Sequence, residues 1–455
     1  MGLPAFCPCT SQGANHVQLV GALYSGQTGL YWQPIMRTSA DSLAHHTALD
    51  RRLVAAVKGI RLLGSISWPA SAQQSFLDNW HRGIAGLPVV DYARPDYAVA
   101  RAEITSIRDA ADAQHPVGDY IRRNAESWRV ATELLDAVGT PQLTTASIQL
   151  FGRPGSRVPG SELSNLDAAR HFISLADELD NEVLASGADY CIPAAVLCED
   201  LQHQLDGFFG KGIVRVEVDD QLISKAAAGA TRIRLRSATC FSEYDRNQLL
   251  EHEAYVHTLS ALNGRRQPNL TSLGLSSPRI TATQEGLAVF AELMTGSLDI
   301  ERFKRISLRI LAIDMALNGA DFIEVFRYFL DAGQTETDSF SSAQRVFRGS
   351  PLTGGSAFTK DTVYLHGLLS VHTFFRWALK NRKLNLCRNL FAGKMSLHDV
   401  VALESEFDSG YIAAPNWLPR WVQHANGLAA MLAFSLFANR IRLDRVEAED
   451  LVLSL

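Results

Sequence analysis

The 455-residue chain is short of the features that mark several large protein classes. It has six cysteines, Cys7, Cys9, Cys191, Cys198, Cys240 and Cys387, and none forms a C-x-x-C pair. That spacing offers no disulfide framework, so all six are expected as free thiols in a reducing compartment. Basic residues are not in excess: 43 Lys and Arg against 48 Asp and Glu leave a net charge of -5. There is no electrostatic case for nucleic acid or an anionic membrane as the main partner. Long apolar runs are missing too. The longest, GLAAMLAFSLFA (427–438), is too short to span a bilayer and reads as a buried helix. The N-terminus lacks the basic start and apolar core of a signal peptide, which leaves a cytoplasmic protein as the expectation. No G-x-S-x-G occurs, which argues against an α/β-hydrolase. DGFFGKG (206–212) lacks the spacing of a phosphate loop and reads as a turn before a strand.

What is present is a soluble globular composition, 47% hydrophobic and 20% charged. Residues 1–40 carry little charge and no sustained period, and are expected to form a poorly ordered extension. From 41 to 206 the apolar spacing is close to 3.6, which predicts a helical lobe. Residues 207–240 change period. IVRVEV (213–218) and TRIRLR (231–236) alternate apolar and polar side chains, as half-buried strands do. The alanine-rich QLISKAAAGA between them reads as a short helix. From 242 to 296 two helices follow, then a helical C-terminal part with a Ser/Thr/Gly-rich loop over 334–360. The expected fold is mainly α with a small β-sheet, an α+β arrangement in which 207–455 forms one functional region.

One helix carries a motif with a geometric demand. In LLEHEAYVHTLSALNG (249–264), His252 and His257 bracket Glu253. The zinc-protease pattern H-E-x-x-H sets its histidines four apart, on one helical face. Here they are five apart, which on a regular α-helix turns them about 140° away from each other. A widened, π-type turn brings residues five apart back onto one face. The pattern therefore predicts such a turn between His252 and His257. Ser242 and Asp245 have the form of a capping box for this helix. Zinc needs a third protein ligand and an open position. ITATQEGLAVFAELMTG (280–296) supplies two acids on one face, Glu285 and Glu292. Glu285 is the expected third ligand, and Glu292 is either an alternative ligand or an acceptor for a ligand histidine. Thr281 and Gln284 read as that helix's capping box. Gly286 reads as a point of close approach for the histidine helix.

HEAYVH followed by TQEGLA resembles the bacterial proteins named for a QEGLA motif and described as flavohemoglobin expression-modulating. These resemble the microtubule-associated tyrosine carboxypeptidase family of animals. LLGSISWPASAQQSFLDNW (62–80), LPVVDY (87–92), RVFRGSP (345–351) and FTKDTVYLHG (358–367) also look like that family. The resemblance implies a zincin-like metallopeptidase holding one zinc ion on His252, His257 and Glu285, with Glu253 as general base. In one place this chain departs from the animal members: they carry Gly-Thr just before the second histidine, where it has Tyr255-Val256. That change bears on substrate preference, so a tubulin substrate is not carried over.

The implied reaction is removal of a C-terminal residue, tyrosine or another aromatic, from a peptide or protein. It needs a donor for the developing oxyanion. Tyr364, in the family-like KDTVYLHG, is preferred over His366 and Tyr255. It also needs a cation for the substrate carboxylate, and Arg345, Arg348 and Lys360 flank the Gly-rich loop. The rivals are an endopeptidase or aminopeptidase on the same site, or a non-catalytic regulator.

Overall fold

The computed structural model describes residues 40–179, 191–220, 222 and 225–442. The expected N-terminal extension, including Cys7 and Cys9, lies outside the described residues, as does the end of the expected helical C-terminal part, 443–455. The described chain is mostly helical, with two small sheets. No described helix is long and apolar enough to cross a membrane.

The main core runs from Leu49 and Leu53 through the buried helix Pro116–Asp136 to Leu428 and Leu432. A second core is aromatic: Trp68, Phe76, Phe322, Phe326, Phe340 and Phe347 meet in edge-on and tilted pairs. Each core draws residues from both sides of position 207. Part of the second core comes from a region expected as loop. Within 334–360 the chain instead forms a helix, Glu336–Phe347, capped by Thr335. Its serines masked the period, but Phe340, Ala343, Val346 and Phe347 fall on one buried face.

The expected strands are present. Arg215–Asp219 (β2) runs parallel to Arg232–Arg236 (β4), with Ile233 and Leu235 buried between the outward arginines. The segment read as an alanine-rich helix is corrected. Ala226–Ala228 is a strand (β3), antiparallel to β4 on its free side. Pairing with β4 and packing on the histidine helix override alanine's helical preference. Thr258 on that helix donates to the carbonyl of Gly229, just past β3, at 2.9 Å.

The free-thiol expectation is corrected as well. Ile192–Pro193 (β1) pairs with Cys240–Phe241 (β5), and Cys191 forms a disulfide with Cys240. The two cysteines stand 49 positions apart, so only the fold brings them together. Cys198 and Cys387 are free.

The helix Thr281–Met294 packs against both the histidine helix and the helix Val363–Lys380. Its start differs from the expected capping box. A 3₁₀ turn, Pro278–Ile280, runs straight into it, and Thr281 donates instead to the Pro278 carbonyl at 2.7 Å. Gln284 is buried, and neither end of its amide has a hydrogen-bond partner. Gly286 does mark a close approach, but to a different helix. A Cβ there would lie 2.2 Å from the carbonyl carbon of Gly367. The two glycines let the backbones of Thr281–Met294 and Val363–Lys380 touch.

Candidate metal centre

The histidine helix begins at Ser242. Its side chain accepts from the Asp245 amide, and Asp245 bonds back to the Ser242 amide. After one α-helical stretch, Glu243–Gln248, the chain widens into a π-helix over Leu249–Thr258, then tightens again over Leu259–Arg265. The expected wide turn is therefore a ten-residue segment. It turns His252 and His257 to one side, with ring centroids 4.9 Å apart and planes at 82°.

Glu285 closes the group from the neighbouring helix. Its Oε2 lies 3.6 Å from His252 Nε2 and 3.7 Å from His257 Nε2. The three ligand atoms lie within 4.8 Å of one another. Ligands about 2.0–2.1 Å from a tetrahedral zinc stand roughly 3.3 Å apart, so the spacing suits one small ion. Two imidazoles and one carboxylate are also the donor set of a catalytic zinc site with a position left open.

The surroundings fix each ligand. His252 Nδ1 donates to Glu292 Oε1 at 2.5 Å, which sets the tautomer and leaves Nε2 facing Glu285. Glu292 is fully buried and also receives both arms of Arg302, one at 2.7 Å. Glu292 thus accepts from His252 and stands apart from the His252–His257–Glu285 cluster. Burial alone would lower His252, but the Glu285 carboxylate beside its Nε2 and the Glu292 carboxylate that accepts from its Nδ1 outweigh burial and push the ring up to about 10. Burial alone would raise Glu285. The charge of Lys360 and the two nearby histidines instead hold it well below the ordinary carboxylate range.

A second layer of charge surrounds Glu285. Lys360 Nζ donates to Glu285 Oε1 at 2.9 Å and lies 3.4 Å from the Tyr364 hydroxyl. Arg345 reaches the same hydroxyl at 3.3 Å and clasps Asp361 with bonds of 2.5 and 2.8 Å. Arg309 stands 3.8 Å from Asp361. Arg348 lies beside this group, and its Nε has no hydrogen-bond partner. Burial, helped by the charge of Arg345, pushes Arg348 down to about 10.

Of the residues singled out in the sequence, His252, His257 and Glu285 converge, and Glu253 sits half-buried beside His252. Tyr364, Lys360 and Arg345 join the network on Glu285. Arg348 borders it. Tyr255 turns away and packs on Phe208 and Phe209. Sequence reasoning missed Arg302, Arg309 and Asp361. Arg302 follows Glu292 by ten positions in the next helix, a spacing that carries no signal of its own.

The family described as microtubule-associated tyrosine carboxypeptidase matches residues 74–440. No curated protein matches the sequence. Among solved structures, metallocarboxypeptidase 1 of Trypanosoma cruzi is similar at 13% identity and a TM-score of 0.37. That likeness covers 88% of this chain and 98% of that one. The family match spans most of the chain and contains every residue of the His252–His257–Glu285 cluster, so the protein belongs to the microtubule-associated tyrosine carboxypeptidase family, a family of metallocarboxypeptidase hydrolases.

Proposed function

We propose that this protein is a zinc-dependent carboxypeptidase of the QEGLA-motif branch, acting in the cytoplasm on the C-terminus of a peptide or protein. Tyrosine or another aromatic is the favoured terminal residue. The observation that carries the reading is the convergence of His252, His257 and Glu285, with Glu253 next to His252 in the same helix.

His252, His257 and Glu285 would hold the ion. Zinc there supplies Lewis acidity, which activates water and polarises a peptide carbonyl. The chain's own residues do the rest. The Glu253 carboxylate takes a proton from the attacking water and passes it to the leaving amine, so its charge is restored each cycle. Glu292 and Arg302 keep the His252 ring in one orientation. The Tyr364 hydroxyl, held beside Lys360 and Arg345, donates to the oxygen that gains charge. Strand β3 is an edge strand on the histidine helix, which supports an extended substrate adding to its free side.

The cations expected for the substrate carboxylate are unequal. Lys360 and Arg345 already face Glu285 and Asp361, so their main role is to position Glu285 and Tyr364. Arg348 and Arg309 add positive charge without equal compensation, which draws an anionic chain end toward the site.

The test is metal analysis together with mass spectrometry of tyrosine-ended peptides. One zinc per chain and loss of a single C-terminal residue are expected. Glu253→Gln should keep the zinc and lower kcat by about 10²–10⁴-fold. Internal cleavage, or activity unchanged in that variant, would count against the reading.

A further inference from the structure

The Cys191–Cys240 disulfide sits where the histidine helix begins. The two Cα atoms lie 5.1 Å apart, within bonding range, and both residues are exposed. The sheet that the bond closes is very small. Strands β1 and β5 have two residues each and pair only with one another. Pro193 brings no N–H to that ladder. A two-stranded ribbon so short has little stability of its own, so the covalent link carries much of the pairing.

Each strand runs directly into a helix at the metal centre. Cys240 stands two residues before Ser242, whose hydroxyl accepts from the Asp245 amide to cap the histidine helix. Pro193 is the N-cap of the helix Ala194–Phe209. That helix meets the histidine helix at two points. Asp200 accepts from Arg246 at 2.5 Å. Phe208 and Phe209 pack on Tyr255, which lies between the two ligand histidines in the π-helical segment. The bond therefore fixes the starts of two helices whose contact shapes the wide turn. Without it, those starts are joined only through a stretch of 49 positions.

A disulfide is rare in the cytoplasm, and those found there are mostly transient and redox-sensing. Exposure opens this one to small thiols. The two free thiols differ. Cys387 is fully buried, and half-buried Cys198 donates to the Val216 carbonyl at 3.4 Å.

We propose that Cys191 and Cys240 form a redox switch. Bonded, they hold the histidine helix in its metal-binding form. Reduced, they release its start and weaken zinc binding. This rests on the cytoplasmic metallopeptidase reading. Reduction uses two molecules of a small cellular thiol of the glutathione class. The first attacks one sulfur of the bond, forms a mixed disulfide and releases the other cysteine. The second attacks the small molecule's sulfur in that mixed disulfide and releases the remaining cysteine. The protons of the two small thiols end on Cys191 and Cys240, and the two electrons leave the small thiols as their disulfide.

The experiment equilibrates the full chain in glutathione buffers of varied redox ratio, then counts the bond by alkylation and mass spectrometry. The bond should open and re-form reversibly at millimolar glutathione. Chelator competition on each form should show zinc binding weakened about tenfold by reduction, because metal binding must then also order the helix start. Cys240→Ser should copy the reduced form and ignore the buffer, while Cys198→Ser should respond as wild type does. Equal zinc affinity in the two forms overturns the proposal. So does a bond that millimolar reduced glutathione leaves closed, or a pair of thiols that stay free in fully oxidised buffer. Should Cys240→Ser fail to fold, the two forms of the wild-type chain decide. Zinc affinity is read without substrate, so an oxidised protein that cleaves no peptide counts against the carboxypeptidase reading, and the difference in Kd still decides the switch.

Discussion

Gly286→Ala separates tertiary constraint from helix propensity by the sign of its effect. In an exposed helix interior, Gly to Ala stabilises by about 1 kcal/mol. Here the added Cβ would lie 2.2 Å from the Gly367 carbonyl carbon and 2.3 Å from its oxygen. Carbon contacts rest at about 3.5–4.0 Å, so the helices must part by roughly 1.5 Å. Both obstructing atoms are backbone, so no side chain can rotate to relieve the clash. Overpacking costs about 1–3 kcal/mol, and this case belongs at the upper end. The net expectation is a loss of about 2 kcal/mol, read by urea denaturation of the apo-protein. The site should suffer too. Lys360 lies in the turn that leads into the displaced helix, and its 2.9 Å bond to Glu285 cannot survive such a shift. Zinc affinity should therefore drop as well as stability. Gly367→Ala meets the Ala282 carbonyl at 2.1 Å, and the same displacement relieves both clashes. The double variant should cost clearly less than the sum of the singles. A Gly286→Ala protein as stable as wild type, or more so, would refute the backbone-contact argument.

Three further outcomes follow from the described contacts. Glu292→Gln removes the charge shared by His252 and Arg302, and zinc affinity should fall about 10–100-fold in a chelator competition assay. Tyr364→Phe should lower kcat by about two to three orders of magnitude with KM changed far less, which steady-state kinetics on a tyrosine-ended peptide would check. Asp399 ties the helix Leu397–Ala402 to Arg279 through two bonds, at 2.6 and 2.8 Å. Burial alone would raise its carboxyl, but bonds from His398 and Arg279 bring it down to about 2. A depressed carboxyl contributes stability that is complete above about pH 4 and lost as pH falls through about 2. The gap from an ordinary aspartate is worth about 2 kcal/mol. Asp399→Asn should thus be destabilising in denaturant titrations at pH 7, and the difference should shrink on acidification toward pH 2.

The part of the site that could be read in the sequence was the part held within single helices. His252, Glu253 and His257 share one helix, so their spacing alone demanded a wide turn. Glu285 and Glu292 share another, and seven positions put them on one face. The contacts that cross between distant segments left no such trace. Nothing in the order of residues joins Arg302 to Glu292, Asp361 to Arg345, or the Phe391 carbonyl to Asn263. The same holds for the fold. Alternation found β2 and β4 because each strand carries its own period. Three alanines carry none, and only pairing with β4 makes β3 a strand. The serines of Glu336–Phe347 hid a helix whose buried side chains identify it once the aromatic core is known. Cys191 and Cys240 were unreadable as a pair for the same reason, since β1 and β5 meet only in the folded chain.

The π-helical segment preserves the phase of everything downstream. Deleting one residue between His252 and His257 would restore the familiar spacing of four, and an ordinary helix would still present both rings together. Because the wide turn absorbs the extra residue, the turns after His257 would keep nearly their present direction. Asn263 and Gln267 would still face the Phe391 and Ala392 carbonyls they hold, in the loop after the short helix Leu384–Asn389. The extra residue therefore acts locally, on how the two rings are presented across one turn, so a shortened helix should keep its hold on that loop and differ only at the ion.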